Sequence, residues 1–95
     1  MKPLSPDKIN EWLEDHDIWS VQKDELCAEF TFKDFVQAMG FMVQVGIHAE
    51  KQDHHPRLEN TYNKVKIALN THDAGNKITD RDIKLAEQIE TINIY

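Results

Sequence analysis

Leu26-Cys27-Ala28-Glu29-Phe30-Thr31-Phe32 sets Leu26, Ala28, Phe30 and Phe32 on one side of an extended chain and Cys27, Glu29 and Thr31 on the other. A period of two is the mark of a strand with one face in a core and one in water. Lys64 to Thr71 repeats the pattern, with Val65, Ile67 and Leu69 against Lys64, Lys66, Ala68 and Asn70. Each of these strands has a shorter neighbour. Ile18 to Val21 precedes the first through the polar link Gln22-Lys23-Asp24-Glu25, and Leu58 to Tyr62 precedes the second. Short links between adjacent strands make antiparallel pairs.

Three helical stretches surround these strands. Ser5-Pro6-Asp7 is a helix start: serine caps, proline fits the first turn, and an acid suits the positive end of the dipole. Ile9, Trp12 and Leu13 follow at spacings of three and four, ending near Glu14–Asp17. The second helix is expected from about Lys33 to Glu50, opened by a capping-box pattern at Thr31 and Asp34. Its apolar face holds Phe35, Val36, Met39, Met42, Val43, Gly46 and Ile47, widened by Phe41 and Val45. A face so wide predicts contact both with the sheet and with something else. Gly40 and Gly46 each cost roughly 1 kcal/mol in a helix interior, which close approach of another backbone would explain. Asp73 to Lys77 is expected to be a loop. Thr79 and Asp82 form a further capping-box pattern before a last helix carrying Ile83, Leu85, Ala86, Ile89 and Ile92. The order α-β-β-α-β-β-α predicts an α+β fold, an antiparallel four-stranded sheet with three helices on one face.

The sequence has 95 residues, which predicts one domain over residues 1–95. A net charge of −6 with no basic stripe argues against direct nucleic-acid binding and against an anionic membrane surface. There is no apolar run long enough to cross a bilayer and no signal-peptide pattern at Met1–Asn10, so the cytoplasm is the expected location. The single cysteine, Cys27, can form no internal disulfide.

The chemistry lies in the histidines. His48, His54, His55 and His72 have Glu50, Asp53, Asp73 and Asp82 near them in sequence. Imidazole titrates near pH 6.5 and passes protons in either direction, and a carboxylate partner fixes its tautomer. Neighbouring residues cannot share a face of a helix or strand, so His54 and His55 converge only if Pro56 ends a turn there. Each residue also has a purely structural reading. His48 falls on the polar side of its helix. His72 can be a surface hydrogen-bonding residue, Asp82 a helix cap, and the His54-His55 pair a solvated loop. Cys27 sits mid-strand with no base beside it. Zinc is the rival use of histidines and carboxylates, but the chain has no helical HxxxH and no cysteine ligand.

The segment Glu50-Lys51-Gln52-Asp53-His54-His55-Pro56 resembles the signature of the pterin-4a-carbinolamine dehydratases. Five residues separate Pro56 from Tyr62, nine separate Tyr62 from His72, and nine separate His72 from Asp82, as in that family. Phe30-Thr31-Phe32-Lys33-Asp34-Phe35, Gly40-Phe41-Met42, Tyr62-Asn63-Lys64-Val65, Thr71-His72 and Arg81-Asp82-Ile83 extend the likeness over about Ile18 to Ile89. It implies a hydro-lyase that removes water from 4a-hydroxytetrahydrobiopterin to give quinonoid dihydropterin, recycling the cofactor of aromatic amino acid hydroxylases. The implied catalytic set is His54, His55 and His72, with Glu50 and Asp82 orienting them. Asp53, His54, His55, Pro56, Thr71, His72, Asp73 and Ala74 would line the pterin pocket, with no metal and no organic cofactor. The resemblance also implies a homodimer or homotetramer formed through helix 33–50. Because animal members serve a homeodomain transcription factor as a dimerisation cofactor, it offers a second role, protein binding with little or no catalysis, and a nuclear location if the source is eukaryotic. Two features depart from the family pattern. Leu58 stands where many members carry tryptophan, and the loop from Asp73 to Ile78 is one residue longer than in the animal enzymes.

Overall fold

A computed structural model describes residues 2–93. The elements follow the expected order: α1 (Pro6–Leu13), β1 (Trp19–Gln22), β2 (Glu25–Thr31), α2 (Phe35–Gln52), β3 (Arg57–Thr61), β4 (Lys64–Leu69), a single 3₁₀ turn (His72–Ala74) and α3 (Asp80–Glu90). The strands form one antiparallel sheet in the order β1-β2-β4-β3. The fold is α+β, as the two alternating stretches predict.

Register follows from the alternation. Leu26 pairs with Leu69, Ala28 with Ile67 and Phe30 with Val65, so the apolar members of both central strands share one face. Trp19 joins that face from β1 and Leu58 from β3. The β1–β2 hairpin closes in two residues, Lys23 and Asp24, both at positive φ (52° and 62°). That backbone matches the right-handed twist of the flanking strands.

The helices cover the apolar face. Trp19, Leu26, Ala28, Val65, Ile67 and Leu69 from the sheet form one core with Ala38, Phe41, Val45 and Ala49 of α2 and Leu85, Ala86 and Ile89 of α3; Ile9, Trp12 and Leu13 of α1 pack at its edge. Phe41 is its aromatic centre, with ring centroids 4.8 Å from both Phe30 and Phe32. A cluster not expected from sequence ties α1 to α3. His16 stacks on Trp12 with centroids 4.1 Å apart, its Nδ1 lies 2.8 Å from a Glu90 carboxylate oxygen, and Trp12 Nε1–H donates to Glu87 at 2.9 Å.

Several expectations need correction. The cap of α2 is Asp34, which accepts from Gln37 N–H, while the Gln37 side chain accepts from Lys33 N–H; Thr31 belongs to β2. The helix therefore runs two residues later than expected at both ends. Its buried stripe is Ala38-Phe41-Val45-Ala49. Of the set read from sequence as the main apolar face, Met42 packs against the core, but the rest points outward: Phe35, Val36, Met39, Val43 and Ile47 are exposed. Gly46 lies on this outer side, and a Cβ there would meet nothing within 4 Å inside the protomer. The expected loop Asp73–Lys77 holds, except that its start belongs to a 3₁₀ turn (His72–Ala74), and Ile92 lies beyond the end of α3 while still packing on the core. His48, on the polar side of α2, is half-buried.

Candidate active site

Where α2 ends, Asp53 adopts the left-handed conformation (φ 49°, ψ 46°) and its N–H returns to the carbonyls of Ala49 and Glu50. This is the usual way to stop a helix, and Asp is one of the few residues with a side chain that tolerates it. His54 N–H then also bonds Ala49 O at 3.0 Å. The reversal sends two consecutive imidazoles in different directions. His54 turns inward and is only 7% exposed, whereas the His55 side chain is 59% exposed.

Each imidazole meets its own carboxylate. His54 Nε2 lies 2.5 Å from Asp82 Oδ1, and His55 Nε2 lies 2.8 Å from Glu50 Oε1. Asp82 is fully buried at the start of α3. Its other oxygen, Oδ2, accepts from Thr79 N–H and from the Thr71 hydroxyl, both at 2.9 Å. Asp82 thus serves both readings available from sequence: one oxygen closes the capping box with Thr79 and the other holds His54. Arg81 Nη2–H donates to Asp53 O at 2.6 Å and fastens the start of α3 to the end of α2.

His72 comes from the opposite side. Thr71 N–H bonds Lys77 O, and Ala74 and Asn76 N–H both return to Thr71 O, so the 3₁₀ turn is folded back on its own backbone. Gly75 and Asn76 complete it at φ 75° and 61°. His72 is exposed at the head of this turn, with Nδ1 3.2 Å from Asn76 Oδ1.

Asp53, His54, His55, Thr71, His72 and Asp73 line one open cleft of about 280 Å³, together with Asn70 and Arg81. Pro56, Ala74 and Glu50 are not part of its lining, and Asp82 stands behind it. Asn70 and Arg81 were not picked out as site residues from sequence. Asn70 follows the last strand residue, so its place at the sheet's end carried the signal; Arg81 stood beside Asp82 with nothing in its spacing to mark it. Leu58 lies on the core face of β3, paired with Ile67, and takes no part in this cleft.

A larger cleft, about 460 Å³, lies on the open face of the sheet and includes Cys27, Glu29, Arg57, Glu59 and Lys66. Its size is less telling than its chemistry. Arg57 is ion-paired with Glu25 at 2.7 Å, and Lys66 sits between Glu29 and Glu59 in the strand register. Burial, with a contribution from Glu25, pushes the Cys27 thiol up from its ordinary pKa, keeping it a poor nucleophile. Among the described residues no three His, Cys, Asp or Glu side chains come together as a metal-holding group. Among the described residues, the histidine cleft is where three imidazoles meet one open space.

A family model described as "Pterin 4 alpha carbinolamine dehydratase" matches residues 2–92. A protein from Prochlorococcus marinus (strain NATL2A), described as "Putative pterin-4-alpha-carbinolamine dehydratase", is 43% identical over 89 residues, covering 94% of this chain and 93% of its own. One of the same description from Nitrobacter hamburgensis is 49% identical over 70 residues, 74% of this chain and 68% of its own. Among solved structures, a "transcriptional coactivator/pterin dehydratase" from Brucella melitensis superimposes with a TM-score of 0.88 at 40% identity, covering 94% of this chain and 96% of that one. A pterin dehydratase-like protein described as a RuBisCO assembly factor in the alpha-carboxysome shares the fold alone, with a TM-score of 0.62 at 16% identity over 76% of this chain and 82% of that one.

Proposed function

The chain belongs to the pterin 4 alpha carbinolamine dehydratase family, and from that premise we propose that it dehydrates a 4a-hydroxytetrahydropterin in the cleft between His54, His55 and His72. The observation that carries this reading is the convergence of three imidazoles on one cleft, two of them set by carboxylates. In the reaction the C4a–O bond breaks and the N5–H proton leaves as the C4a=N5 double bond forms. The hydroxyl departs as water only if an acid protonates it, and N5 gives up its proton only to a base. Imidazoles on two sides of a flat ring serve both needs with no metal or organic cofactor. Asp53 and Asp73 would hold the pterin's polar edge, Thr71 would form the pocket wall, Pro56 and Ala74 would support the segments that carry these contacts, and Glu50 and Asp82 orient His55 and His54. The test is direct. Purified protein added to freshly generated 4a-carbinolamine is expected to speed the appearance of quinonoid dihydropterin over buffer alone, and a rate equal to buffer would contradict the reading.

A specific observation also bears on partners. The outward stripe Phe35-Val36-Met39-Val43-Ile47 leaves large apolar side chains in water along about three and a half turns of α2, more than scattered single residues would do. We read it as the seat of a second copy of the chain, giving a homodimer or homotetramer through α2, with Gly46 allowing the helices to approach. Val43→Asp, placed mid-stripe and away from the core, is expected to yield a monomer by analytical ultracentrifugation with the fold retained; a wild-type protein already monomeric at micromolar concentration would contradict it. The same stripe would serve a protein-binding role of coactivator type. The paired histidines, for which such a role has no use, favour catalysis as the first reading. Among the described residues no helix is long and apolar enough to cross a membrane; we place the reaction in the cytoplasm, where pterin cofactors are recycled.

A further inference from the structure

The buried carboxylate of Asp82 is served by a line of hydroxyls that runs in one direction. A carboxylate only accepts hydrogen bonds, so the proton of Thr71, 2.9 Å from Oδ2, points at Asp82. The hydroxyl oxygens of Thr71 and Thr79 are 2.6 Å apart. With Thr71's proton turned to Asp82, the proton between the two threonines belongs to Thr79. The Thr79 oxygen accepts in turn from Arg81 N–H at 3.2 Å. The sequence of donors is therefore Arg81 N–H to Thr79, Thr79 to Thr71, and Thr71 to Asp82 Oδ2, which also receives Thr79 N–H. Thr71 and Thr79 are buried, and among the described residues no buried side-chain nitrogen or oxygen lacks a partner.

We propose that Thr79, acting through Thr71, is a positioning residue: it turns the Thr71 proton onto Oδ2, leaves Oδ1 to the Nε2–H of His54, and so presents the unprotonated Nδ1 of His54 to the cleft as the base. Helix capping needs only the Thr79 oxygen as an acceptor. The hydroxyl proton of Thr79, which capping leaves unused, is the part that reaches the active carboxylate. The other charged and titratable groups around the cleft are Asp53 and His55 on the same loop, His72 and Asp73 across it, and Arg81 from α3. Arg81 is engaged with the Asp53 carbonyl and His55 with Glu50, so neither competes for Asp82. This inference rests on the reading that His54 acts on the pterin.

The test compares Thr79→Ser, which keeps the oxygen and its proton, with Thr79→Val, which keeps the volume and removes both. In Thr79→Val kcat is expected to fall by up to about tenfold, the upper end for losing one hydrogen bond between neutral groups, with KM unchanged. Thr79→Ser is expected to restore wild-type turnover. Ring-nitrogen NMR is expected to show His54 as the Nε2–H tautomer in wild type and Thr79→Ser, and as mixed tautomers in Thr79→Val. Loss of capping alone would lower thermal stability without altering that signature. Thr79→Val with wild-type kcat and a wild-type His54 signature would overturn the proposal. Should Thr79→Val fail to fold, the wild-type protein decides: the Thr79 hydroxyl proton is expected as a slowly exchanging resonance with its contact to Thr71, and its rapid exchange with solvent would overturn the proposal. Altered tautomers in Thr79→Val, in a wild-type protein that turns over no carbinolamine, would keep the positioning chain and reject the reaction.

Discussion

Replacing His54 with alanine is expected to slow carbinolamine dehydration by about 10²–10⁴-fold, the range for losing a well-placed proton-transfer group, and to destabilise the protein as well. The second effect follows from burial. His54 is 7% exposed and Asp82 fully buried, with 2.5 Å between Nε2 and Oδ1. Without the ring, Oδ1 has lost its partner inside the fold. Breaking a buried pair by removing one member costs about 3–5 kcal/mol, and the two donors remaining on Oδ2 place the expected loss near the lower end, about 3 kcal/mol. In a domain of this size each kcal/mol lowers Tm by roughly 4–8 °C. Thermal melts together with turnover on the same sample check both parts. A variant with wild-type Tm would mean that Asp82 does not depend on His54, and one with wild-type rate would remove His54 from the mechanism.

His72→Ala is expected to reduce turnover by a similar factor, about 10²–10⁴, and to leave stability within about 0.5 kcal/mol of wild type, as for other surface changes. His72 is exposed, and its ring Nδ1 lies 3.2 Å from Asn76 Oδ1. The turn that carries it is held by backbone bonds at Thr71, Ala74, Gly75 and Lys77, none of which uses the imidazole. Slow turnover with an unchanged melt is therefore the signature of a group whose role is chemical. Wild-type turnover would show that the cleft works from one side only, through His54 and His55.

The contrast between these two histidines was not legible in the sequence, although both were picked out. Periodicity assigns faces only within helices and strands. His54 and His55 fall after a left-handed Asp53, where the direction of each side chain depends on backbone dihedrals that no spacing encodes. The strands were readable because alternation has one physical meaning, and Leu26–Leu69, Ala28–Ile67 and Phe30–Val65 share a face as it requires. The capping box of Thr79 and Asp82 was readable too, but not that Asp82's second oxygen reaches residue 54. Helix α2 misled for a different reason. It is apolar on two sides, and the stripe that enters the core is led by the small Ala38 and Ala49, where close packing on the sheet matters more than hydrophobic bulk. The bulkier side remains outside, so amphipathicity alone could not choose between them. The bonds from Trp12 to Glu87 and from His16 to Glu90 join residues over seventy positions apart and had no local signal.

The central claim is that the pterin sits among the imidazoles and not in the larger cleft on the open face of the sheet. Titrating a stable reduced pterin into isotope-labelled protein and following side-chain and backbone NMR signals separates the two. The expected result is that perturbations concentrate at His54, His55, Thr71, His72 and Asp73. Perturbations centred instead on Glu29, Glu59 and Lys66, with the histidine rings unmoved, would contradict it.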